Sequence, residues 1–107
     1  MVTIAKDNDV VTLINVFTVA REDQQRLVDV LVDATRKVMS KQPGFVSASI
    51  HKSLDGTRVT NYAQWRSREA FEAMLENQEA AEHMGEAAGI AERFEPHLYE
   101  VSSMDEV

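Results

Sequence analysis

The stretch TNYAQWRSREAF, residues 60–71, places a carboxamide and an indole four residues apart, at Asn61 and Trp65. The segment reads as a β-strand, in which residues an even number of positions apart share one face. Asparagine is depleted in strands, and a buried amide without a partner costs about 1–3 kcal/mol. The pair therefore predicts one of two arrangements: a hydrogen-bonded core, or a cavity in which both groups bind a polar ligand.

A second carboxamide, Asn15, lies in the apolar run VVTLINVFTV, which predicts a first strand over residues 10–19. If the first and third strands are neighbours in the sheet, Asn15 and Asn61 can stand on the same face among aliphatic side chains. Such amides could donate hydrogen bonds to an oxyanion, and the indole could stack on an aromatic ring or donate its N–H. The sequence leaves open whether the two amides bond to each other or to a ligand.

The segments that must position these groups have clear boundaries in the first part of the chain. A helix is predicted to start after Asp23, a candidate N-cap, and to end before Pro43 and Gly44. Residues 45–52 and 58–66 predict two strands joined by a two-residue hairpin turn at Asp55 and Gly56. That turn would put Ile50 opposite Asn61, and Val46, Ala48 and Ile50 on the face that carries the amides.

Two helices and a strand are predicted for the remainder. Ser67 should cap a short helix that carries Phe71 and Met74. A longer helix is predicted over residues 79–94, with His83 and Phe94 on its apolar stripe and Met84 beside it. Pro96 would end this helix, and HLYEVS would form the last strand.

The element order is β-α-β-β-α-β with a divided second helix, which is the ferredoxin-like order of an α+β fold. We expect one domain over residues 1–107, with a core over about 10–102. The first strand is apolar on both faces, whereas the helices can cover only one face of the sheet. The simplest cover for the other face is a second copy of the chain, which predicts a homodimer.

Composition excludes several classes of protein. The net charge of −7 disfavours nucleic acid and anionic membranes as partners, because a uniformly acidic domain repels phosphate. The absence of cysteine excludes disulfides, thiolate nucleophiles and cysteine-ligated metals. The three histidines show no ligand spacing, so a metal site is not expected. No segment has the length of a signal peptide or a membrane span, and we expect a cytoplasmic protein.

Residues 48–71, ASIHKSLDGTRVTNYAQWRSREAF, resemble the antibiotic biosynthesis monooxygenase family, which includes small cofactor-free anthrone oxygenases. The resemblance extends more loosely over LINVFTV, QPGFVSAS and EPHLYEV. It implies a homodimer of ferredoxin-like protomers that forms a dimeric α/β barrel, with a cavity between sheet and helices in each protomer. The family's oxygenases have an asparagine and a tryptophan where Asn61 and Trp65 stand. Some also have an asparagine at the place of Asn15.

Other polar residues of the family do not carry over. Anthrone oxygenases of this type can have tyrosines where Ile50 and Phe71 stand, and an arginine near Met84 and Gly85. The resemblance therefore implies Asn61, Trp65 and Asn15 as catalytic groups without fixing a particular anthrone. The side chains expected to contact the substrate are Ile50, Phe71, Met74, His83 and Met84.

The implied activity is oxidation of a planar phenol, quinol or anthrone by O2, without flavin or metal, because the substrate carbanion itself supplies the electrons. The two amides would stabilise the developing oxyanion, and Trp65 would stack on the substrate or donate to it. Asparagine cannot act as a base at neutral pH, so the proton acceptor is missing from this set. Water is one candidate, and His83 is another if it faces the cavity.

Two other functions remain open from the sequence. The chain could be a non-catalytic, ligand-binding dimeric barrel. It also resembles haem-degrading monooxygenases of the same fold in Asn15 and in a helix histidine near His83. Those enzymes place a tryptophan where Met74 stands, and the spacing from there to His83 differs by one residue.

Overall fold

The computed structural model describes residues 10–107 and has the predicted order of elements. The predicted domain also includes residues 1–9, which lie outside the described part. Short 3-10 turns, Arg21–Asp23 and Met39–Lys41, flank the first helix. The strands and helices are β1 Val11–Thr18, α1 Gln24–Lys37, β2 Phe45–Lys52, β3 Arg58–Trp65, α2 Arg68–Leu75, α3 Gln78–Ile90 and β4 Arg93–Tyr99.

The four strands form one antiparallel sheet in the order β2-β3-β1-β4, which confirms the ferredoxin-like prediction. The two central strands are β1 and β3, and their register places Asn15 directly opposite Asn61. On the other side of β3, Ile50 lies opposite Asn61, as predicted. The three side chains therefore share one face of the sheet.

This face carries the core, which consists of two clusters of buried side chains beneath the helices. The first cluster contains Leu13, Val38, Ala63, Trp65, Met74 and Ala80. The second contains Phe17, Val19, Leu27, Val59 and Ala87. Both clusters combine alternate strand residues with one side of the helices, as an α+β sandwich requires.

Ser67 begins α2 as predicted, whereas Asp23 does not cap α1. The Ser67 hydroxyl accepts a hydrogen bond from the Ala70 N–H at 3.1 Å. Asp23 stands before the first residue of α1 but has helical backbone angles and no capping hydrogen bond. Its carboxylate lies 3.5 Å from the guanidinium of Arg26 instead. The 3-10 turn before α1 explains the difference, because it removes the extended backbone that an N-cap residue needs.

The β2–β3 connection is a five-residue loop, residues 53–57, so the predicted two-residue turn was wrong in length. The predicted register still holds, because Lys52 pairs with Val59 and the even number of residues between them keeps the parity of a two-residue turn. The Asp55 carboxylate accepts hydrogen bonds from the Thr57 and Ser53 hydroxyls, both at 2.7 Å, and from the Thr57 N–H at 3.0 Å. The two hydroxyls and this N–H lower the pKa of Asp55 from 3.8 to about 2. These hydrogen bonds stabilise the loop conformation of Ser53 and Thr57.

A bulge near the start of β2 corrects one facing assignment. The register shifts between Phe45 and Ser47, so Phe45 pairs with Trp65. Val46, predicted to share the face of Asn61, is instead 39% exposed. The extra residue of a bulge turns one side chain out of the alternation, and Phe45 packs in the core in its place.

The C-terminal elements differ most from prediction. Helix α3 ends at Ile90, and both Phe94 and Pro96 belong to β4. With Leu98, they are opposite Phe17, Asn15 and Leu13 of β1 and so stand on the face that bears the helices. A proline is tolerated there because β4 is an edge strand. Among residues 10–107, no helix is both long and apolar enough to span a membrane.

Candidate active site

A cavity of about 250 Å³ lies between the sheet and the helices. All four strands and all three helices contribute to its lining. The sheet supplies Leu13, Asn15, Phe17, Phe45, Ala48, Asn61, Ala63, Trp65, Phe94, Pro96, His97 and Leu98. The helices and the turn after α1 supply Leu31, Ala34, Thr35, Met39, Phe71, Met74, Leu75, His83, Met84, Ala87 and Ala88. This predominantly apolar lining with few polar groups is typical of a small-molecule site.

The two carboxamides face this cavity, and they are not bonded to each other. The Asn15 Oδ1 accepts a hydrogen bond from the backbone N–H of Glu95 at 3.2 Å. Because only the oxygen of an amide can accept, this contact leaves the Asn15 NH2 group available as a donor. Asn61 Oδ1 is buried and has no hydrogen-bond partner in the structure. The site therefore contains an unpaired acceptor beside a donor of fixed orientation.

Trp65 combines a packing role with an unpaired donor. It is 2% exposed, and its ring makes edge contacts with Phe45 and Phe71 at centroid distances of 5.5 and 6.1 Å. Its Nε1 is nevertheless buried without an acceptor. Leaving such a group unpaired costs about 1–3 kcal/mol, as it does for Asn61 Oδ1. A ligand that offers one donor and one acceptor would pair both groups.

The structure brings most of the predicted site residues together. The cavity lining combines Asn15, Asn61 and Trp65 with four of the predicted contact residues. These four are Phe71, Met74, His83 and Met84. Ile50 does not line the cavity, although it shares the sheet face of Asn15 and Asn61. It packs with the cluster that contains Leu27, because α1 covers this part of the sheet. The catalytic and binding roles assigned from sequence stay predictions.

Sequence reasoning missed several wall residues. Phe94 and Pro96 were assigned to a helix or its end, whereas their alternation with Leu98 is a strand pattern that could have identified them. Thr35 and Met39 lie on a helix and in a turn, where the sequence carries no signal for cavity lining. His97 also borders the cavity.

The two histidines of the lining differ in orientation. His97 lies opposite Ile14 in the register, so its side chain points to the sheet face away from the helices. Its ring lies 6.4 Å from that of Tyr99, between centroids. His83 stands on α3 between the buried residues Ala80 and Ala87, on the side that packs against the protein. Of the two imidazoles, only that of His83 is directed at the cavity.

The mouth of the cavity lies between the helices and β4. Five of its lining residues are more than a third exposed, namely Leu75, Met84, Phe94, Pro96 and His97. None of the lining residues carries a carboxylate, an amine or a guanidinium. Residues 10–107 also contain no cluster of histidine and acidic side chains that could hold a metal ion.

The fold and cavity define a class: ferredoxin-like α+β protomers with a ligand-sized apolar chamber between sheet and helices. The chain belongs to the antibiotic biosynthesis monooxygenase family, whose sequence profile matches residues 10–86. The family resemblance seen in the sequence is thereby confirmed.

One relative of known activity is the tetracenomycin-F1 monooxygenase of Streptomyces glaucescens. It is 53% identical over 74 residues, which is 69% of this chain and 66% of that enzyme. The match thus spans just under two thirds of the relative's length.

Solved structures with similar folds include two oxygenases from Streptomyces. SnoaB, a cofactor-independent oxygenase from Streptomyces nogalater, has a TM-score of 0.76, with 23% identity over 90% of this chain and 96% of that chain. The ActVA-Orf6 monooxygenase of Streptomyces coelicolor, solved with nanaomycin D, has a TM-score of 0.77, with 24% identity over 92% and 91%. At these sequence identities, the structural similarity establishes a shared fold and nothing more.

Proposed function

We propose that this protein is a cofactor-independent monooxygenase that oxidises a planar phenol, quinol or anthrone with O2. The observation that carries the proposal is the apolar cavity in which Asn61 Oδ1 and Trp65 Nε1 are buried without partners. Membership of the monooxygenase family and the similarity to tetracenomycin-F1 monooxygenase support it. A flat phenolic ring would fill the apolar volume and pair both polar atoms.

The chemistry follows from the substrate. Removal of a proton from the ring CH2 of an anthrone gives a carbanion whose charge is shared with the ring oxygen. The carbanion passes one electron to O2, and the two radicals combine into a hydroperoxide. Loss of water converts CH2 into C=O, so one oxygen atom enters the product and the other leaves as water. The four electrons come from the substrate, which takes the role of a cofactor.

The cavity supplies stabilisation and orientation. The Asn15 NH2 group and the Trp65 N–H can donate to the oxygen on which negative charge develops, and the Asn61 NH2 group adds a third donor. Asn61 Oδ1 can accept from a neighbouring phenolic hydroxyl. The apolar walls exclude water, which strengthens these hydrogen bonds and protects the radical pair.

The direct test is oxygen uptake by the purified protein with a panel of anthrones, naphthols and quinols, in buffer with a metal chelator and no added flavin. We expect uptake with at least one member, and with 18O2 one labelled atom in the product. Absence of uptake with every member would contradict the proposal. A Soret band on titration with hemin would then favour haem degradation, and neither signal would favour a binding module.

We also propose that the protein is a homodimer that pairs the sheet faces not covered by helices. Ile14, Val16 and Tyr62 stand on that face and are only partly buried in the single chain. Light scattering at low micromolar concentration should therefore give twice the chain mass of 12.0 kDa. A stable species of single-chain mass would contradict the proposal.

A further inference from the structure

The proposed reaction needs a base, and Asn15, Asn61 and Trp65 do not provide one. A carboxamide and an indole cannot take up a proton near neutral pH. The described lining contains no carboxylate, amine, phenol or thiol. Its titratable side chains are His83 and His97, and the side chain of His97 points away to the opposite sheet face. Elimination within the lining leaves one protein group, the imidazole of His83.

His83 is placed for this role by α3. Ala80 and Ala87, three residues before and four residues after it, are the buried residues of α3. Side chains at this spacing share one side of a helix, so His83 points toward the sheet and the cavity. It is partly buried, and it has no hydrogen bond or ion pair with any of the described residues. Its ring nitrogens are not among the buried atoms without a partner, so they are accessible from the cavity or from solvent.

The cavity lining near His83 carries no charged group. The residues that line the cavity from α1, α2 and β4 are apolar apart from Thr35 and the outward-pointing His97. The nearest charged residues on its own helix, Glu79, Glu82 and Glu86, are exposed. No described carboxylate therefore competes with the imidazole for the substrate's proton inside the cavity.

We propose that His83 is the proton acceptor of the oxygenation, an inference that rests on the proposed function. Its free ring nitrogen takes the proton from the substrate carbon, and the electron pair of that C–H bond stays in the substrate as the enolate. The donors of Asn15 and Trp65 hold the enolate oxygen. After oxygen has combined, the imidazolium returns its proton to the departing water. An imidazole suits both transfers because its neutral form can accept a proton on a ring nitrogen and its protonated form can donate it back.

The test compares His83→Gln with His51→Gln, which makes the same change at an exposed histidine of β2 that does not line the cavity. For His83→Gln we expect kcat to fall about 10²–10⁴-fold with KM nearly unchanged, and the acidic limb of the pH–rate profile to disappear. Free imidazole should partly restore the activity of His83→Ala. The His51→Gln variant should keep both the rate and the pH profile of the wild type.

Mixing protein and substrate without O2 isolates the proton-transfer step from the later reaction with oxygen. Without O2, the wild-type protein should convert bound substrate into its coloured enolate, and His83→Gln should bind the substrate in its neutral form. A His83→Gln variant that retains the wild-type rate, pH profile and enolate would overturn the proposal, and water would be the acceptor. An inactive wild type would instead overturn the proposed function.

A folding defect in the variants would not prevent the test. The wild-type enolate absorbance can be followed against pH, and it should rise with the loss of one proton as the pH increases. Enolate formation that does not depend on pH would overturn the assignment.

Discussion

Replacing Asn61 with alanine should lower kcat about 10²–10³-fold, because removal of one donor or acceptor from a buried oxyanion site has effects of this size. The carboxamide of Asn61 stands beside that of Asn15 on the central strands and has no described partner of its own. Steady-state oxygen uptake with the best substrate of the panel measures the loss. The enolate yield under anaerobic conditions should fall as well.

The stability of this variant should change in the opposite sense from its activity. The buried Oδ1 of Asn61 is unpaired, and its removal relieves a penalty of about 1–3 kcal/mol. The Asn61→Leu variant keeps the side-chain volume and should melt at or above the wild-type temperature while remaining inactive. If both variants fold poorly but their folded fraction has normal turnover, Asn61 is a core residue instead.

Replacing Leu27 with alanine should lower the free energy of unfolding by about 2–5 kcal/mol, the usual range for a buried leucine. Leu27 is 0% exposed and packs in the cluster formed by Phe17, Val59 and Ala87. Deleting its side chain leaves a void that rigid strands on one side cannot close. Urea unfolding followed by circular dichroism gives the change, at a protein concentration held constant.

The matched control is Leu54→Ala, the same substitution at a fully exposed leucine in the β2–β3 loop. Its free energy of unfolding should change by less than about 0.5 kcal/mol. Leu27 does not line the cavity, so Leu27→Ala should retain kcat at temperatures where it is folded. A loss of kcat without a loss of stability would contradict this division between core and site.

The sequence predicted the centre of the sheet well, for a physical reason. The first three strands are long apolar runs with clear breaks between them, and period-two alternation then fixes which side chains share a face. Asn15, Asn61 and Ile50 follow from that rule. The wrong loop length did not change the facing of Ile50, because Lys52 pairs with Val59 and an even number of residues lies between them, as in a two-residue turn.

The end of the chain was predicted less well because its signals conflict. Residues 79–94 fit a helical stripe, and Pro96 usually marks the end of a helix. The strand there is short and lies at an edge, where neither burial nor alternation is strong. Pairing with β1 decides the outcome, and such long-range pairing leaves little trace in the local sequence. The bulge at Val46 likewise depends on how Phe45 packs against Trp65.

The site was predictable to the extent that it lies on strands. Strand register brought Asn15, Asn61 and Trp65 together, whereas the helical wall depends on how the helices cross the sheet. That crossing decides that His83 enters the cavity and that Ile50 is covered by α1. Packing angles of helices depend on side-chain contacts along the whole interface, which periodicity does not specify.

The hydrogen bond that orients Asn15 comes from the main chain of Glu95, whose own side chain is exposed. Every amino acid except proline can supply that N–H. Substitutions at residue 95 can therefore accumulate during evolution, including changes of charge that affect solubility, without altering the orientation of Asn15. Only a substitution to proline at this position would be expected to release the amide.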